Sequence, residues 1–125
     1  MNENELSYQI RGAVFKVHNE LGPGLLESVY ETALSYELRQ LGLDVKNQIG
    51  IPMKYADIIF DVGFRLDILV NEKVIIEVKS IETVADVHHK QLLTYLKLTG
   101  KKLGLLINFN SASISNSIIR IVNNL

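Results

Sequence analysis

The spacing of apolar residues changes along this chain from helical to strand-like. Before residue 42 apolar side chains recur every three or four positions, which is typical of amphipathic helices. After residue 43 they alternate with polar residues or form short unbroken runs, which is typical of strands. The predicted helices are Glu5–Glu20, Leu25–Leu41 and Val87–Leu98, and the predicted strands are Val45–Met53, Phe64–Val70, Val74–Lys79, Leu103–Phe109 and, in preference to a short helix, Ser117–Asn123.

Glycine and capping residues mark several of these boundaries. The segment 22–24, Gly-Pro-Gly, breaks the first helix, and Gly42 follows the second helix where a left-handed residue is common. Asp86 is the predicted N-cap of the third helix, and Gly100 ends it. The segment Tyr55–Phe60 fits either a turn or an extension of the next strand.

The order of these elements is α-α-β-β-β-α-β, with one further strand at the end. The run Leu103–Phe109 is almost continuously apolar and follows a helix, so it is expected to be buried on both faces and to return parallel to an earlier strand. This order predicts an α/β fold, bordering on α+β. A length of 125 residues is enough for one domain, spanning residues 1–125.

Composition limits the class of protein. The chain has no cysteine, which excludes a disulfide framework and a thiolate zinc site. It has no apolar run long enough for a bilayer and its first residues are acidic, so a cytoplasmic protein without a membrane partner is expected. The net charge of −1 gives no general basic surface for nucleic acid. Binding to nucleic acid would need a local patch or bridging metal ions.

The predicted hairpin of residues 64–80 carries two acids at strand positions. If residues 71–73 form a three-residue loop, Val70 pairs with Val74 and Asp67 lies opposite Glu77, with Cβ atoms roughly 5 Å apart. A two-residue loop would send the acids to opposite faces and bury one of them at a cost of several kcal/mol. Alternation then predicts that one face is wholly apolar and that the other gathers the polar side chains. The apolar face would hold Phe64, Leu66, Ile68, Val70, Val74, Ile76 and Val78, and the other Asp67, Glu77 and Lys79.

Two adjacent carboxylates and a lysine have a specific chemical use. Asp67 and Glu77 can bind Mg²⁺ or Mn²⁺ through oxygen, while Lys79 can orient or deprotonate an attacking water. The alternative is a solvated sheet face with a Glu/Lys contact worth less than about 1 kcal/mol. Leu69 and Ile75 flank the acids and indicate that this face is partly covered.

Two predicted helices carry further polar candidates. Glu27 lies in the first turn of the second helix, where the helix dipole alone accounts for an acid, but it is also a possible third acid at the metal site. Gln91 and Tyr95 lie four residues apart and share a face of the third helix. They can hydrogen-bond to a substrate or steady Lys79, or they form a polar helix face with Tyr95 half-buried.

Gly24, Glu27 and Tyr30 spell G-x-x-E-x-x-Y, and the chain resembles the GxxExxY protein family, which is grouped with the PD-(D/E)XK nuclease superfamily. The resemblance covers most of the chain, including Gln48. It implies a restriction-endonuclease-like fold, a central mixed sheet flanked by helices. The residues that match the superfamily pattern are Asp67, Glu77 and Lys79 for the core motif, Gln91 and Tyr95 for a Q-x-x-x-Y helix and Glu27 for a helical acid, whereas Leu66 stands where the superfamily name has proline.

The resemblance implies a Mg²⁺- or Mn²⁺-dependent nuclease acting on DNA in preference to RNA. Asp67 and Glu77 would hold the ion with the Val78 carbonyl and Glu27, Lys79 would position the water, and Gln91 with Tyr95 would order the substrate or Lys79. One alternative is a module with this fold that binds nucleic acid or protein without catalysis. Another is an enzyme that depends on a partner protein or on a homo-oligomer for its positive surface.

Overall fold

A computed structural model describes all of residues 1–125. The α/β class and the order of the elements are confirmed, and the last apolar segment is an edge strand. The helices are α1 (Glu3–Leu21), α2 (Glu27–Gln40) and α3 (Asp86–Thr99), and the strands are β1 (Val45–Tyr55), β2 (Ile58–Val70), β3 (Val74–Lys79), β4 (Leu103–Asn108) and β5 (Ile118–Val122), with a 3₁₀ turn at Ile114–Ser117.

The five strands form one mixed sheet in the order β1-β2-β3-β4-β5. Only β3 and β4 are parallel, and α3 connects them as predicted for a crossover. Neighbouring residues of a strand point to opposite faces, so the sheet has two cores. Ile76 belongs to the core under α1 and α2, whereas Ile75 belongs to the core under α3. No helix is both long and apolar enough to cross a membrane.

The helix ends follow the predicted signals with one exception. Gly42 (φ 80°) and Gly100 (φ 72°) adopt the positive φ that favours glycine. Asp86, however, lies inside α3 rather than before it, and Ala85 occupies the N-cap position. The N–H of Ala85 is satisfied by Nδ1 of His88 at 2.9 Å, so the first turn of α3 closes without an aspartate cap.

The hairpin of β1 and β2 is longer than predicted. The ambiguous segment Tyr55–Phe60 holds a tight turn, in which Ala56 has a φ of 52°, and the start of β2. Residues 52–63, called the arm below, are exposed except for the half-buried Met53. The arm therefore projects beyond the two cores.

One prediction about the hairpin is wrong. Phe64 and Leu66 do not share a face with Ile68 and Val70, because Leu66 and Phe64 pack in the core under α3. The pairing of β2 with β3 covers only residues 68–70, and beyond that point β2 is held by β1 alone. The side chains of β2 can therefore switch from one face of the sheet to the other at Asp67. This residue lies next to Gln48 of β1, which has a φ of 49°.

Candidate active site

The predicted three-residue loop between β2 and β3 is confirmed. Val70 pairs with Val74 across a three-residue loop, and Ile68 pairs with Ile76. The same register, extended by one residue, would bring Asp67 opposite Glu77, and Asp67 is close enough to raise the pKa of Glu77. The acids therefore meet where β2 begins to leave β3.

The side chain of Asp67 fills the gap that opens between these strands. Its Oδ2 accepts a hydrogen bond of 2.8 Å from the N–H of Val78, a group that a neighbouring strand would otherwise satisfy. In a strand the N–H and C=O of one residue point to the same side. The carbonyl of Val78 is therefore expected to face the same gap as Asp67.

Glu77 is the buried acid of the site. Its side chain is only 4% exposed, and its Oε1 atom is buried without a hydrogen-bond partner. Burial, the hydrogen bond with Asp67 and the charge of Asp67 raise the pKa of Glu77 from 4.5 to about 9, while the charge of Lys79 acts in the opposite direction. A buried oxygen without a donor fits a cation-binding role, because a cation would replace the missing partner.

Few side chains of the site could bind a metal ion. No group of three or more His, Cys, Asp or Glu side chains lies close enough together to hold a metal ion. Asp67 and Glu77 thus supply two carboxylates, and the remaining positions around an ion would fall to a backbone carbonyl, water and substrate oxygens. This sparse coordination suits Mg²⁺, which usually keeps several waters.

Tyr95 is brought to the acids. Its ring stacks on Phe64 with centroids 4.5 Å apart. Burial and the negative charges of Glu77 and Asp67 raise the pKa of Tyr95. Its hydroxyl therefore lies within electrostatic reach of both acids, and its role in the site stays a prediction.

Gln91, one turn earlier on α3, is exposed, and its side chain makes no hydrogen bond within the chain. Lys79 lies at the end of β3, half-buried, with its carbonyl accepting the N–H of Phe109 at 2.9 Å. Neither side chain is committed to another protein group, so both remain free for a ligand. Their predicted roles in catalysis stay predictions.

Tyr30 holds the loop between α1 and α2. Its hydroxyl donates to the carbonyl of Gly22 at 2.5 Å and accepts from the N–H of Leu25 at 3.1 Å. The buried ring stacks on Phe109 with centroids 4.5 Å apart, and Gly24 adopts a φ of 97° within the loop. Two members of the G-x-x-E-x-x-Y motif therefore build the loop that starts α2.

The third member, Glu27, connects this loop to the end of β3. Its Oε2 accepts the N–H of Ser80 at 3.1 Å, and the hydroxyl of Ser80 donates to the carbonyl of Leu25 at 2.6 Å. Glu27 thus lies beside the residue that follows Lys79, but it is not hydrogen-bonded to the two acids. Its role as a metal ligand stays a prediction.

Glu31 and Gln48 were not predicted as site residues, although Gln48 contacts Asp67 and connects it to Glu31. Gln48 donates from Nε2 to Glu31 Oε1 at 2.7 Å and to Asp67 Oδ1 at 3.4 Å. The amide of Asn47 donates to the other oxygen of Glu31 at 3.1 Å. Glu31 lies four residues after Glu27 and therefore on the same helix face, which is a signal that sequence inspection can use.

Comparison with curated proteins and comparison with solved structures each found no match. A family model, described as the PD-(D/E)XK nuclease superfamily, matches residues 4–121. The match covers all but the first residue of α1 and the last residue of β5, and it includes both acids of the site. The chain therefore belongs to the PD-(D/E)XK nuclease superfamily.

Proposed function

We propose that this protein is a Mg²⁺- or Mn²⁺-dependent nuclease that hydrolyses phosphodiester bonds, in DNA in preference to RNA. One observation carries the proposal. The buried, unpartnered Oε1 of Glu77 lies beside Asp67 and close to Lys79 in a chain of a nuclease superfamily. A carboxylate pair that is costly to maintain without a cation has a clear purpose in a site that binds one.

Asp67 and Glu77 would hold the ion together with the carbonyl of Val78, and Glu27 would contribute through water. The ion would supply Lewis-acid activation of the scissile phosphate and of its attacking water. Gln48 keeps the carboxylate of Asp67 oriented by its hydrogen bond. Such support of a ligand by a second residue is common at metal sites.

Lys79 would act on the attacking water and on the developing negative charge at phosphorus. Lys79 lies two residues after Glu77 on β3, so its side chain points to the same face of the sheet as the acids. An ammonium held there can orient the water by hydrogen bonding and stabilise the transition state electrostatically. Gln91 and Tyr95 would then order the substrate or Lys79 from the α3 side.

Two finer assignments belong to this proposal. The chain would represent the GxxExxY branch of the superfamily, because Gly24, Glu27 and Tyr30 together form the loop that joins α2 to the end of β3. Residues 1–125 would form one nuclease domain.

A second candidate is a non-catalytic module that binds nucleic acid or protein. It is favoured by the net charge of −1, since a free-standing nuclease normally has a basic groove. A partner protein or a homo-oligomer that supplies the positive surface would reconcile this charge with catalysis.

The test is cleavage of labelled single- and double-stranded DNA and RNA with Mg²⁺, Mn²⁺ or EDTA. We expect metal-dependent cleavage that falls at least about 100-fold in Glu77→Ala and in Lys79→Ala, because each removes a group that acts on the reacting atoms. Glu20→Gln, a change of an exposed acid on α1, serves as the matched control and should retain full activity. Metal-dependent cleavage that persists unchanged in Glu77→Ala would refute the assignment.

A further inference from the structure

Two consecutive residues of β1 bind the same carboxylate. The side-chain amides of Asn47 and Gln48 donate to the two oxygens of Glu31, at 3.1 Å and 2.7 Å respectively. Consecutive residues of a regular strand point to opposite faces of the sheet. Here both side chains reach one acid on α2, so β1 departs from regular alternation at this point.

The departure lies in the backbone of Gln48. Its φ of 49° falls in the left-handed region, which residues other than glycine adopt at a cost in folding free energy. Asn47 and Ile49, on either side of it, pair with β2 in one continuous register. No residue is therefore inserted in either strand, and the unusual φ accounts for the direction of the Gln48 side chain.

Gln48 in turn holds one side of the Asp67 carboxylate. The continuous register brings Gln48 opposite Asp67, and Nε2 of Gln48 donates to Oδ1 of Asp67 at 3.4 Å. The other oxygen, Oδ2, accepts the N–H of Val78 at 2.8 Å. The Asp67 carboxylate is thus held by a backbone group of β3 and by a side chain of β1 that is itself bound to Glu31.

Glu31 determines which end of the Gln48 amide faces Asp67. A carboxylate accepts hydrogen bonds and does not donate them, so the 2.7 Å contact with Glu31 keeps the NH₂ group of Gln48 between the two acids. Without Glu31 the amide is free to rotate and to present its oxygen to Asp67, which repels it. The orientation that suits Asp67 therefore depends on Glu31.

The strained backbone of Gln48 is not needed to tether β1 to α2. Asn47 alone makes hydrogen bonds to Ser35 and Arg39 of α2, each at 2.8 Å. A second tether from Gln48 adds little to this attachment. What the left-handed residue adds is the contact with Asp67, and strain of this kind is found most often at functional sites.

We propose that Glu31 is a positioning residue of the metal site, which acts through Gln48 to hold the Asp67 carboxylate toward the ion. Glu31 itself does not contact the ion in this arrangement. The inference rests on the proposed metal-dependent function, because it assigns Glu31 to the support of a ligand of that metal.

Calorimetric titration with Mn²⁺ tests this chain of contacts. Glu31→Ala and Gln48→Ala should each weaken Mn²⁺ binding by roughly 10- to 100-fold, the usual effect of losing a residue that supports a metal ligand. The double variant should bind as weakly as Gln48→Ala alone, because the two residues act in series. Losses that multiply in the double variant would show that Glu31 acts independently of Gln48 and would overturn the inference.

Glu37→Ala is the matched control for Glu31→Ala. Glu37 is also a half-buried acid of α2, but it pairs with Lys16 of α1 at 3.1 Å and not with β1. Its replacement should change Mn²⁺ affinity less than about twofold. Equal loss of affinity in Glu37→Ala and Glu31→Ala would reduce the effect to a general disturbance of α2 and would overturn the inference.

A second measurement needs no metal. In EDTA, the amide proton resonance of Val78 should move upfield in Glu31→Ala, because a carboxylate of Asp67 that is held less firmly accepts a weaker hydrogen bond from that N–H. Glu37→Ala should leave the resonance in place. An unmoved Val78 resonance in Glu31→Ala would show that Glu31 does not position Asp67.

Two substitutions of Gln48 separate its function from its effect on stability. Gln48→Ala and Gln48→Gly both remove the amide, but only glycine adopts the left-handed φ without strain. The glycine variant should therefore unfold at a higher urea concentration than the alanine variant, while both bind Mn²⁺ equally weakly. Equal unfolding midpoints would contradict the strain at Gln48.

Two outcomes distinguish this inference from the proposed function. Mn²⁺ binding by the wild type that persists unchanged in Glu31→Ala and Gln48→Ala would support the metal site and overturn the role of Glu31. Absence of Mn²⁺ binding in the wild type, together with a shifted Val78 resonance in Glu31→Ala, would support the hold of Glu31 on Asp67 and refute the metal site.

Discussion

At the scale of single residues, Glu77 has two properties that cost folding free energy and that stability alone does not explain. Its carboxyl group is buried against Asp67, and one oxygen lacks a partner. Sequence alternation predicted that the two acids would meet, because a carboxylate alone in the core is costly. It did not predict how deeply Glu77 is buried, since that depends on the cover provided by α3.

The first prediction concerns pH and the stability of the metal-free protein. The pKa of Glu77 is raised from 4.5 to about 9, so between these values the folded state holds a proton that the unfolded state has lost. The free energy of unfolding should therefore fall as pH rises through this range, by a few kcal/mol in total. In Glu77→Gln this fall should disappear, because the amide does not titrate.

Urea unfolding in EDTA at about pH 5 and about pH 8 measures this difference. Glu20→Gln is the control and should keep the pH dependence of the wild type. Parallel pH profiles for the wild type and Glu77→Gln would show that Glu77 is not protonated in the folded, metal-free protein.

The second prediction concerns the hydroxyl of Tyr30. Tyr30→Phe keeps the ring stack on Phe109 but removes the bonds to Gly22 and Leu25, and it should cost about 1–2 kcal/mol of unfolding free energy. Tyr36→Phe is the matched control, because Tyr36 lies on the same helix and is 59% exposed. Equal losses in the two variants, measured by denaturant unfolding, would contradict a structural role for the Tyr30 hydroxyl.

At the scale of elements, features set by local sequence were predicted correctly, whereas features set by tertiary packing were missed. The three-residue loop and the glycines that end α2 and α3 follow from local chemistry, and these predictions are confirmed. The switch of the β2 side chains from one face of the sheet to the other at Asp67 was missed. It arises where β2 separates from β3, and no residue in the local sequence requires it. The connection of Glu31 through Gln48 to Asp67 was missed for a related reason, since it joins three elements distant in sequence.

The third prediction concerns the packing of the arm. A Cβ atom at Gly63 would lie 2.4 Å from Cγ and 2.7 Å from Cβ of Met53, so Gly63→Ala forces Met53 to move. We expect a destabilisation of about 1–3 kcal/mol, localised in the arm, and partial rescue in the double variant with Met53→Ala. Faster hydrogen exchange of the arm amides, with the core unchanged, is the expected signature.

Gly12→Ala provides the contrast. A Cβ atom at Gly12 in α1 meets no atom within 4 Å, and alanine should stabilise the helix by up to about 1 kcal/mol. If Gly63→Ala also stabilised the protein or left exchange in the arm unchanged, the close packing of Met53 over Gly63 would be contradicted.

At the scale of the whole molecule, the fold explains why the site lies where it does. The hairpin of β1 and β2 leaves the five-stranded sheet next to its parallel pair, β3 and β4. This separation opens a gap at Asp67 and Val78, while α2 and α3 approach the gap from the two faces. Sequence patterns predicted the order of these elements, and the family resemblance implied a sheet flanked by helices. The length of the arm became visible only once the strands were paired.

The central claim is that Asp67 and Glu77 together bind a divalent cation, and calorimetric titration with Mn²⁺ near neutral pH tests it most directly. The wild type should bind Mn²⁺ with release of about one proton, seen as a dependence of the heat on the buffer, because the raised pKa of Glu77 keeps the carboxyl group protonated without metal. Asp67→Asn and Glu77→Gln should each weaken binding at least about tenfold, whereas Glu20→Gln should not. Absence of Mn²⁺ binding in the wild type, or equal binding in Glu77→Gln, would contradict the account.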